Sequence, residues 1–263
     1  MDILVCVKRV PDTSDAEVVI AKDGRSIEED SLAFDINEWD KYAVEEAVLL
    51  KEKFGGSVTV ITMGSEDAED ALRRCYATGA DNAIRLTDKV FDGSDAAVIA
   101  RILYQTIKDL KFDLILTGVQ ASDDGYAQVG PMLAESLGIP HATIVTNIEV
   151  MNDKVRVNRE LEGGLQEVVE VQLPTLLTIQ SGINEPRYIS IMGVRNAAKK
   201  DIKLLGLKET GLREEEVGES GSRTRVVRLF PPPVTKETEM LQGNPEEMAA
   251  KLTKILSDKV GLS

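Results

Sequence analysis

Apolar positions along this chain switch between two periods. Residues 3–10, ILVCVKRV, form a short β-branched run that predicts a buried strand. After an acidic, irregular stretch, Tyr42, Ala43, Ala47, Leu50 and Phe54 recur at helical spacing, and the helix predicted over 37–56 stops at Gly55-Gly56. The alternation repeats: strand 57–64, helix 65–80, strand 82–87, helix 92–111, strand 113–118, helix 127–138 and strand 141–150. Ser65 is the expected N-cap of the second helix, with acids in its first turn and Gly79 at its end. Such alternation predicts an α/β fold, a parallel sheet with helices on both faces. Ligands of these sheets bind beyond the carboxyl ends of the strands, where the strand order reverses.

Past residue 150 the rhythm changes. Residues 154–179 alternate on both sides of Gly163-Gly164, which predicts an antiparallel hairpin running into a buried strand with Pro174 at its start. Residues 184–202 predict a turn followed by a basic segment. Residues 208–230, rich in Glu, Gly, Ser and Arg, are expected to be exposed, and FPPP (230–233) is a stiff spacer. Residues 244–261 form a short amphipathic helix with Pro245 in its first turn. A helix this short on a tether either packs back or docks on another chain.

Composition narrows the function. The net charge of −14, from 31 basic and 45 acidic residues, argues against nucleic acid as a partner. A nucleotide is still allowed, because one loop and one helix terminus can hold it. Cys6 and Cys75 have neither a metal-type spacing nor a disulfide framework, which suits two reduced thiols in a cytoplasmic protein. The first ten residues are too short for a signal-peptide core, and no run of about 18 apolar residues predicts membrane insertion. His141, the only histidine, has no triad or metal set around it and is taken as structural. A nucleophile elbow, a Walker loop and a G-x-G-x-x-G after the first strand are all missing, so the sequence gives no reason to assign bond-making chemistry to this chain.

The stretch GVQASDDGYAQVGP (118–131) joins a predicted strand to a predicted helix. Backbone N–H groups at such a helix start favour phosphate, and Gly118 and Gly125 allow close approach or positive φ. Asp123 and Asp124 suit ribose hydroxyls or the loop's own N–H groups, and Gln120 and Gln128 can serve either purpose. A solvated βα loop is the competing reading. Asn37 is a plausible N-cap, and Trp39, the only tryptophan, either lies flat near a base or anchors the core. Lys8 and Arg9, at a strand's carboxyl end, can meet an anionic ligand or an acidic partner, but taken alone they read as a solvated strand end.

Several stretches in series resemble the β subunit of electron transfer flavoprotein. They are ILVCVKRVPD, DINEWDKYAVEEAVLLKEK, ALRRCYATGADNAIRL, TGVQASDDGYAQVGPMLAESLGIP, VNRELEGGLQEVVEVQLPTLLTI and NEPRY, over residues 1–202, with the proline-rich tether and C-terminal helix also fitting. The resemblance implies an adenine-nucleotide α-hydrolase-like domain over 1–202 and an arm over 203–263 that wraps a longer α subunit. A FAD held mainly by that α subunit would accept electrons from acyl-CoA dehydrogenase-type flavoenzymes and pass them to a membrane quinone oxidoreductase. The β subunit would be a carrier rather than an enzyme and would bury a structural AMP. The nucleotide residues implied are Cys6, Asn37, Glu38, Trp39, Asp40, Met63, Gly118, Gln120, Ala121, Ser122, Asp123, Asp124, Gly125, Tyr126, Ala127, Gln128 and Val129. NEPRYISIMGVRNAAKK matches the family's recognition loop, with Ile191 at the tip and Met192 beside it, followed by Arg195, Lys199 and Lys200.

Within the family, electron-bifurcating members hold a second FAD where AMP would lie and have an NADH site. DDGYAQVGP stands between the two types, Pro11-Asp12-Thr13 leans towards the bifurcating one, and Trp39 leans towards AMP. A stand-alone adenylate-binding signalling protein of stress type explains the α/β core but leaves the hairpin, NEPRY and the tethered helix without a purpose. A metabolic hydrolase would need a nucleophile or a metal set, and neither is visible in the sequence.

Overall fold

The computed structural model describes residues 1–14, 16–233 and 240–260. It divides into two units, Met1–Val227 and the chain from Arg228 onward. Strand β1 (Asp2–Cys6) starts the first unit. Val7 and Lys8 then bend the chain into β2 (Arg9–Asp12), which pairs antiparallel with β3 (Ala33–Ile36). The single strand expected over 3–10 is therefore two. Pro11 stands inside β2 rather than at its end: a strand of a two-stranded sheet has one open side, where a missing N–H is tolerated, although its place after a strand's carboxyl end suggests that it stops the strand.

The chain continues as α1 (Glu38–Phe54), β4 (Ser57–Met63), α2 (Glu69–Thr78), β5 (Asn82–Leu86), α3 (Ala96–Ile107), β6 (Leu114–Gly118), α4 (Val129–Leu137) and β7 (His141–Val150). Gly55 ends α1 at φ 71, and Gly79 ends α2 at φ 139, positions that side chains avoid. Ser65 precedes a 3₁₀ turn ahead of α2 and makes no capping bond. Next come β8 (Lys154–Glu160), β9 (Gln166–Gln172), β10 (Thr175–Ile179), α5 (Ile191–Ala197) and β11 (Lys203–Leu205). Two single turns, α6 (Leu207–Thr210) and α7 (Gly218–Gly221), complete the unit.

The main sheet has nine strands in the order β11-β5-β4-β1-β6-β10-β7-β8-β9. Its pairs are parallel as far as β7, and the hairpin β8–β9 is added antiparallel. Central strands are buried on both faces, so Ile3 and Val5 pack with Ala43, Ala47, Leu72 and Cys75 of α1 and α2. Leu4, between them, packs on the other face with Val98, Ile102 and Leu133 of α3 and α4. From β1 the chain builds outward through β4 to β5, then returns across the sheet to β6 on the other flank of β1. The order reverses between β1 and β6, and a crevice opens at their carboxyl ends.

Residues 203–227 belong to the compact unit rather than standing apart from it. Strand β11 pairs with β5, Val217 is fully buried against α3's core, and Thr210 and Gly218 are buried too. The exposure expected over 208–230 fails at these positions because the sheet's β5 flank is apolar and needs cover. In the second unit, α8 (Pro245–Val260) opens with a capping box: Asn244 Oδ1 accepts Glu247 N–H at 2.9 Å, and Glu247 Oε2 accepts Asn244 N–H at 3.3 Å. Leu252 and Leu256 on this helix are exposed. Gly261, the last residue of the expected helix, and residues 234–239 of the expected arm lie outside the described residues.

Candidate nucleotide-binding site

A cavity occupies the crevice between β1 and β6. Its floor comes from strand ends, Cys6 at the end of β1 with Val7 after it, Ile61 and Met63 of β4, and Thr117 and Gly118 of β6. The loop 119–128 and the first turn of α4 form one wall, and Ser94, Ala96, Ile99 and Leu103 at the start of α3 form the other.

Asp40, in the first turn of α1, ties the crevice together. Its Oδ2 accepts the Lys8 N–H at 2.7 Å and its Oδ1 accepts the Gly118 N–H at 2.9 Å, so one buried carboxylate links β1 to β6. Burial pushes the Asp40 carboxyl up to about 7, against the opposing pull of the two N–H donors. Gly118 is required by this contact, because a Cβ there would lie 2.4 Å from Asp40 Oδ1. Asn37 occupies the N-cap position expected of it, yet its side chain makes no capping bond. Its Nδ2 donates to the Gln120 carbonyl at 2.8 Å and its Oδ1 accepts the Ser122 N–H at 3.1 Å, which pins the loop to α1.

The loop's acids serve the loop. Lys8 Nζ donates to Asp123 Oδ1 at 2.7 Å and to Asp124 Oδ2 at 2.8 Å, and Asp124 Oδ1 accepts the Tyr126 N–H at 3.0 Å. Burial works against the charge on Lys8, but the bonds and charges of Asp123 and Asp124 outweigh it and raise the ammonium above its ordinary range. Gly125 and Ala127 both take left-handed backbone, at φ 63 and φ 54. Such a conformation strains alanine by about 1 kcal/mol or more. It turns the chain so that α4 starts at the cavity.

The two helix starts that border the cavity differ. At α3, Asp95 accepts N–H groups from Val98 (3.0 Å), Arg223 (2.8 Å) and Thr224 (3.0 Å), so an anionic side chain already caps that end. At α4 the first turn holds no acid and no side-chain cap. Among the described residues, the N–H groups of Gln128, Val129 and Gly130 have no protein acceptor, and the next residue, Pro131, has no N–H. Gly130 lets this turn lie on the sheet, since a Cβ would meet Thr178 Cγ2 at 2.8 Å and Thr117 Oγ1 at 2.9 Å. Free N–H groups and the positive end of α4 make an anion cradle, and the apolar wall of Ile61, Met63, Ile99 and Leu103 can take a flat ring.

Of the residues expected from the sequence, Cys6, Asn37, Asp40, Met63, Gly118, Gln120, Ala121, Asp124, Tyr126, Ala127, Gln128 and Val129 line the cavity. Glu38, Ser122, Asp123 and Gly125 border it in sequence without lining it. Trp39 also lies off the cavity, its Nε1 donating to Gln180 Oε1 at 2.9 Å. The start of α3, Thr117, Gly130 and Lys8 were missed. Two acids in one loop were the signal that a cation had to stand nearby. Burial and the charge of Asp40 push the Cys6 thiol up to about 12, which leaves it inert. Among the described residues no group of His, Cys, Asp and Glu could hold a metal, and no helix is long and apolar enough to cross a membrane.

The electron transfer flavoprotein domain profile matches residues 25–209. Over 98% of its length the chain is 42% identical to the electron transfer flavoprotein subunit beta of Thermoanaerobacterium thermosaccharolyticum, covering 99% of that protein. The chain belongs to the electron transfer flavoprotein β-subunit family. The subunit beta of Methylophilus methylotrophus is 39% identical over 99% of this chain and all of its own length. Subunit CarD of the caffeyl-CoA reductase–Etf complex of Acetobacterium woodii is 39% identical over 98% of this chain and 99% of its own.

In this family member the segment expected to dock a partner stands on helix α5. Ile191 is 86% exposed and Met192 66%, apolar side chains left uncovered among the described residues. NEPRY clasps α1 beneath them. Asn184 Nδ2 donates to the Tyr42 carbonyl and to Glu46 Oε2, Arg187 Nε donates to Glu45 at 3.0 Å, and Arg187 Nη1 donates to Glu52 at 2.7 Å. Arg73 of α2 donates to the Ala197 carbonyl at 2.9 Å, holding the far end of α5. The exposed tip therefore rides on a rigid base.

Proposed function

We propose that this protein is the β half of a heterodimeric electron carrier and holds AMP in the cavity between β1 and β6. The observation that carries the reading is the acid-free start of α4, where the N–H groups of Gln128, Val129 and Gly130 lack acceptors while Asp95 caps the facing helix. That is one anion cradle, enough for a single phosphate. The phosphate would take these N–H groups, the side chains of Gln120 and Gln128 would hold the ribose, and the adenine would lie against Met63, Ile99 and Leu103. The AMP supports assembly and supplies no redox chemistry. A FAD held mainly by the longer α subunit would carry the electrons.

Ile191 and Met192 would dock an acyl-CoA dehydrogenase-type flavoenzyme as electron donor, with a membrane quinone oxidoreductase as acceptor. A relative named for a caffeyl-CoA reductase complex supports a partner that works on CoA thioesters. The chain from Arg228, with exposed Leu252 and Leu256 on α8, would wrap the α subunit. The carrier would act in the cytoplasm without inserting into the membrane.

A second reading, the bifurcating type with its own FAD and an NADH site, is favoured by one observation. Trp39 bonds to Gln180 and does not line the cavity, so its ring does not stand where a flavin would need room. Cofactor extraction from the heterodimer, co-expressed with the α subunit, separates the two. AMP predicts one FAD and one AMP per heterodimer and no flavin reduction by NADH. Two FAD and rapid reduction by NADH would replace the first reading with the second. Neither AMP nor a second FAD would refute both.

A further inference from the structure

We propose that Lys8 is the counter-ion that makes the acidic rim of this cavity compatible with a nucleotide phosphate. The inference rests on the cavity being an adenine-nucleotide site, and it assigns the residue that decides how well an anion is retained there.

Among the described residues lining the cavity, the charged ones are Lys8, Asp40, Asp95 and Asp124, one cation against three acids. A phosphate monoester brings about two more negative charges at neutral pH. The three acids are not equivalent. Asp40 is held by the Lys8 and Gly118 N–H groups, and Asp95 by N–H groups of Val98, Arg223 and Thr224. Asp124 has one N–H donor, from Tyr126, and its other oxygen depends on the Lys8 ammonium at 2.8 Å. Asp123, next to it, takes the same ammonium at 2.7 Å. Without Lys8 the loop would hold two carboxylates with no cation, a few residues before the α4 N–H groups.

The root of Lys8 is fixed for this task. Its N–H donates to Asp40 at 2.7 Å and its carbonyl accepts the Asn37 N–H at 2.9 Å, so the side chain leaves the end of β1 in one direction, towards the loop. The same ammonium closes the loop over the cavity and cancels part of the field that would repel the ligand. Restoring one unit of negative charge within several ångströms of a phosphate weakens binding by about tenfold at low salt, and less as salt screens it.

The test uses the co-purified heterodimer and equilibrium dialysis against labelled AMP at low and high salt. Lys8→Met keeps the apolar stem and removes the charge. It should raise the Kd for AMP by about tenfold at low salt, with the gap narrowing at high salt. Asp123→Asn/Asp124→Asn should bind at least as tightly as the wild type, and adding both to Lys8→Met should restore binding to within about threefold of it. An unchanged Kd in Lys8→Met overturns the inference. So does a loss that the triple variant retains, since Lys8 would then act by touching the phosphate or by supporting the fold. Where the wild type carries two FAD, the second FAD is counted across the same variants in place of the AMP constant. A wild type that takes up no AMP and holds a single FAD overturns the nucleotide reading itself, and the inference with it.

Discussion

Gly118→Ala probes the closure of the β1–β6 crevice by Asp40. The new Cβ would lie 2.4 Å from Asp40 Oδ1 and 2.8 Å from Trp39 Cβ. The carboxylate is then about 1 Å too close and has to retreat. That movement carries its bonds to the Gly118 N–H (2.9 Å) and the Lys8 N–H (2.7 Å) past hydrogen-bonding distance. A bond to a charged group contributes about 1.5–3 kcal/mol, and the crowding adds about 1 kcal/mol, for a total loss near about 5 kcal/mol. For a unit of this size Tm falls by about 2–4 °C per kcal/mol, so a drop of about 10–20 °C is expected. Thermal melts followed by circular dichroism should be run at about pH 8, where an Asp40 carboxyl that titrates near 7 is ionised. Gly125→Ala is the control: at φ +63 its Cβ meets nothing within 4 Å, so only backbone strain of about 1 kcal/mol remains. A Gly118→Ala protein that melts no lower than the Gly125→Ala control would refute the reasoning. Full additivity of Gly118→Ala with Asp40→Ala would refute it too, because removing the carboxylate should relieve the clash.

Other expectations follow from the same contacts. The folded-state pKa of Asp40, about 7, lies above its value of about 3.9 in the unfolded chain, so the stability from keeping it protonated is full below about pH 4 and is lost as pH rises through 7. Urea unfolding should show the wild type losing about 2–3 kcal/mol relative to Asp40→Asn between about pH 5 and pH 8, and a pH-independent difference would contradict this. Cys6, with its thiol near 12, has about one part in 10⁵ thiolate at pH 7, so iodoacetamide should leave it unlabelled in the native protein and label both Cys6 and Cys75 in urea, as read by mass spectrometry. Arg187→Ala leaves Glu45, whose side chain is 3% exposed, without its guanidinium and should destabilise the fold by about 2–4 kcal/mol. Arg187→Lys should recover only part of that in thermal melts, because one ammonium cannot serve Glu45 and Glu52 together. Under the proposed function, Ile191→Ala should weaken docking of the donor dehydrogenase about thirtyfold in a binding titration while cofactor content stays the same.

Periodicity alone determined the α/β alternation from β1 to β7, the hairpin around Gly163-Gly164 and the helix at 245–260, because each is set by residues close in sequence. Local chemistry also pointed to the loop at 118–131, since a glycine, two acids and a helix start stand within a few residues of one another. The family was legible too, as a series of motifs in order. Strand order was not legible, and with it went everything that depends on which strand ends are neighbours. The β2–β3 hairpin joins residues across an irregular acidic stretch that carries no period. Burial of Val217 and pairing of β11 with β5 fill a flank that is apolar only once the sheet is assembled. Lys8 looked like a solvated strand end because its two carboxylate partners lie 115 and 116 residues away. Asp40 stood only among the nucleotide residues that the family resemblance implies, and Trp39 was open between a ring near a base and a core anchor. Only the packing of α1 against β6 buried the carboxylate under Gly118 and turned the indole to Gln180. One-dimensional patterns fix which segments have faces to bury. Which groups meet beyond the strand ends, and which of them are left without partners, is decided when those faces come together.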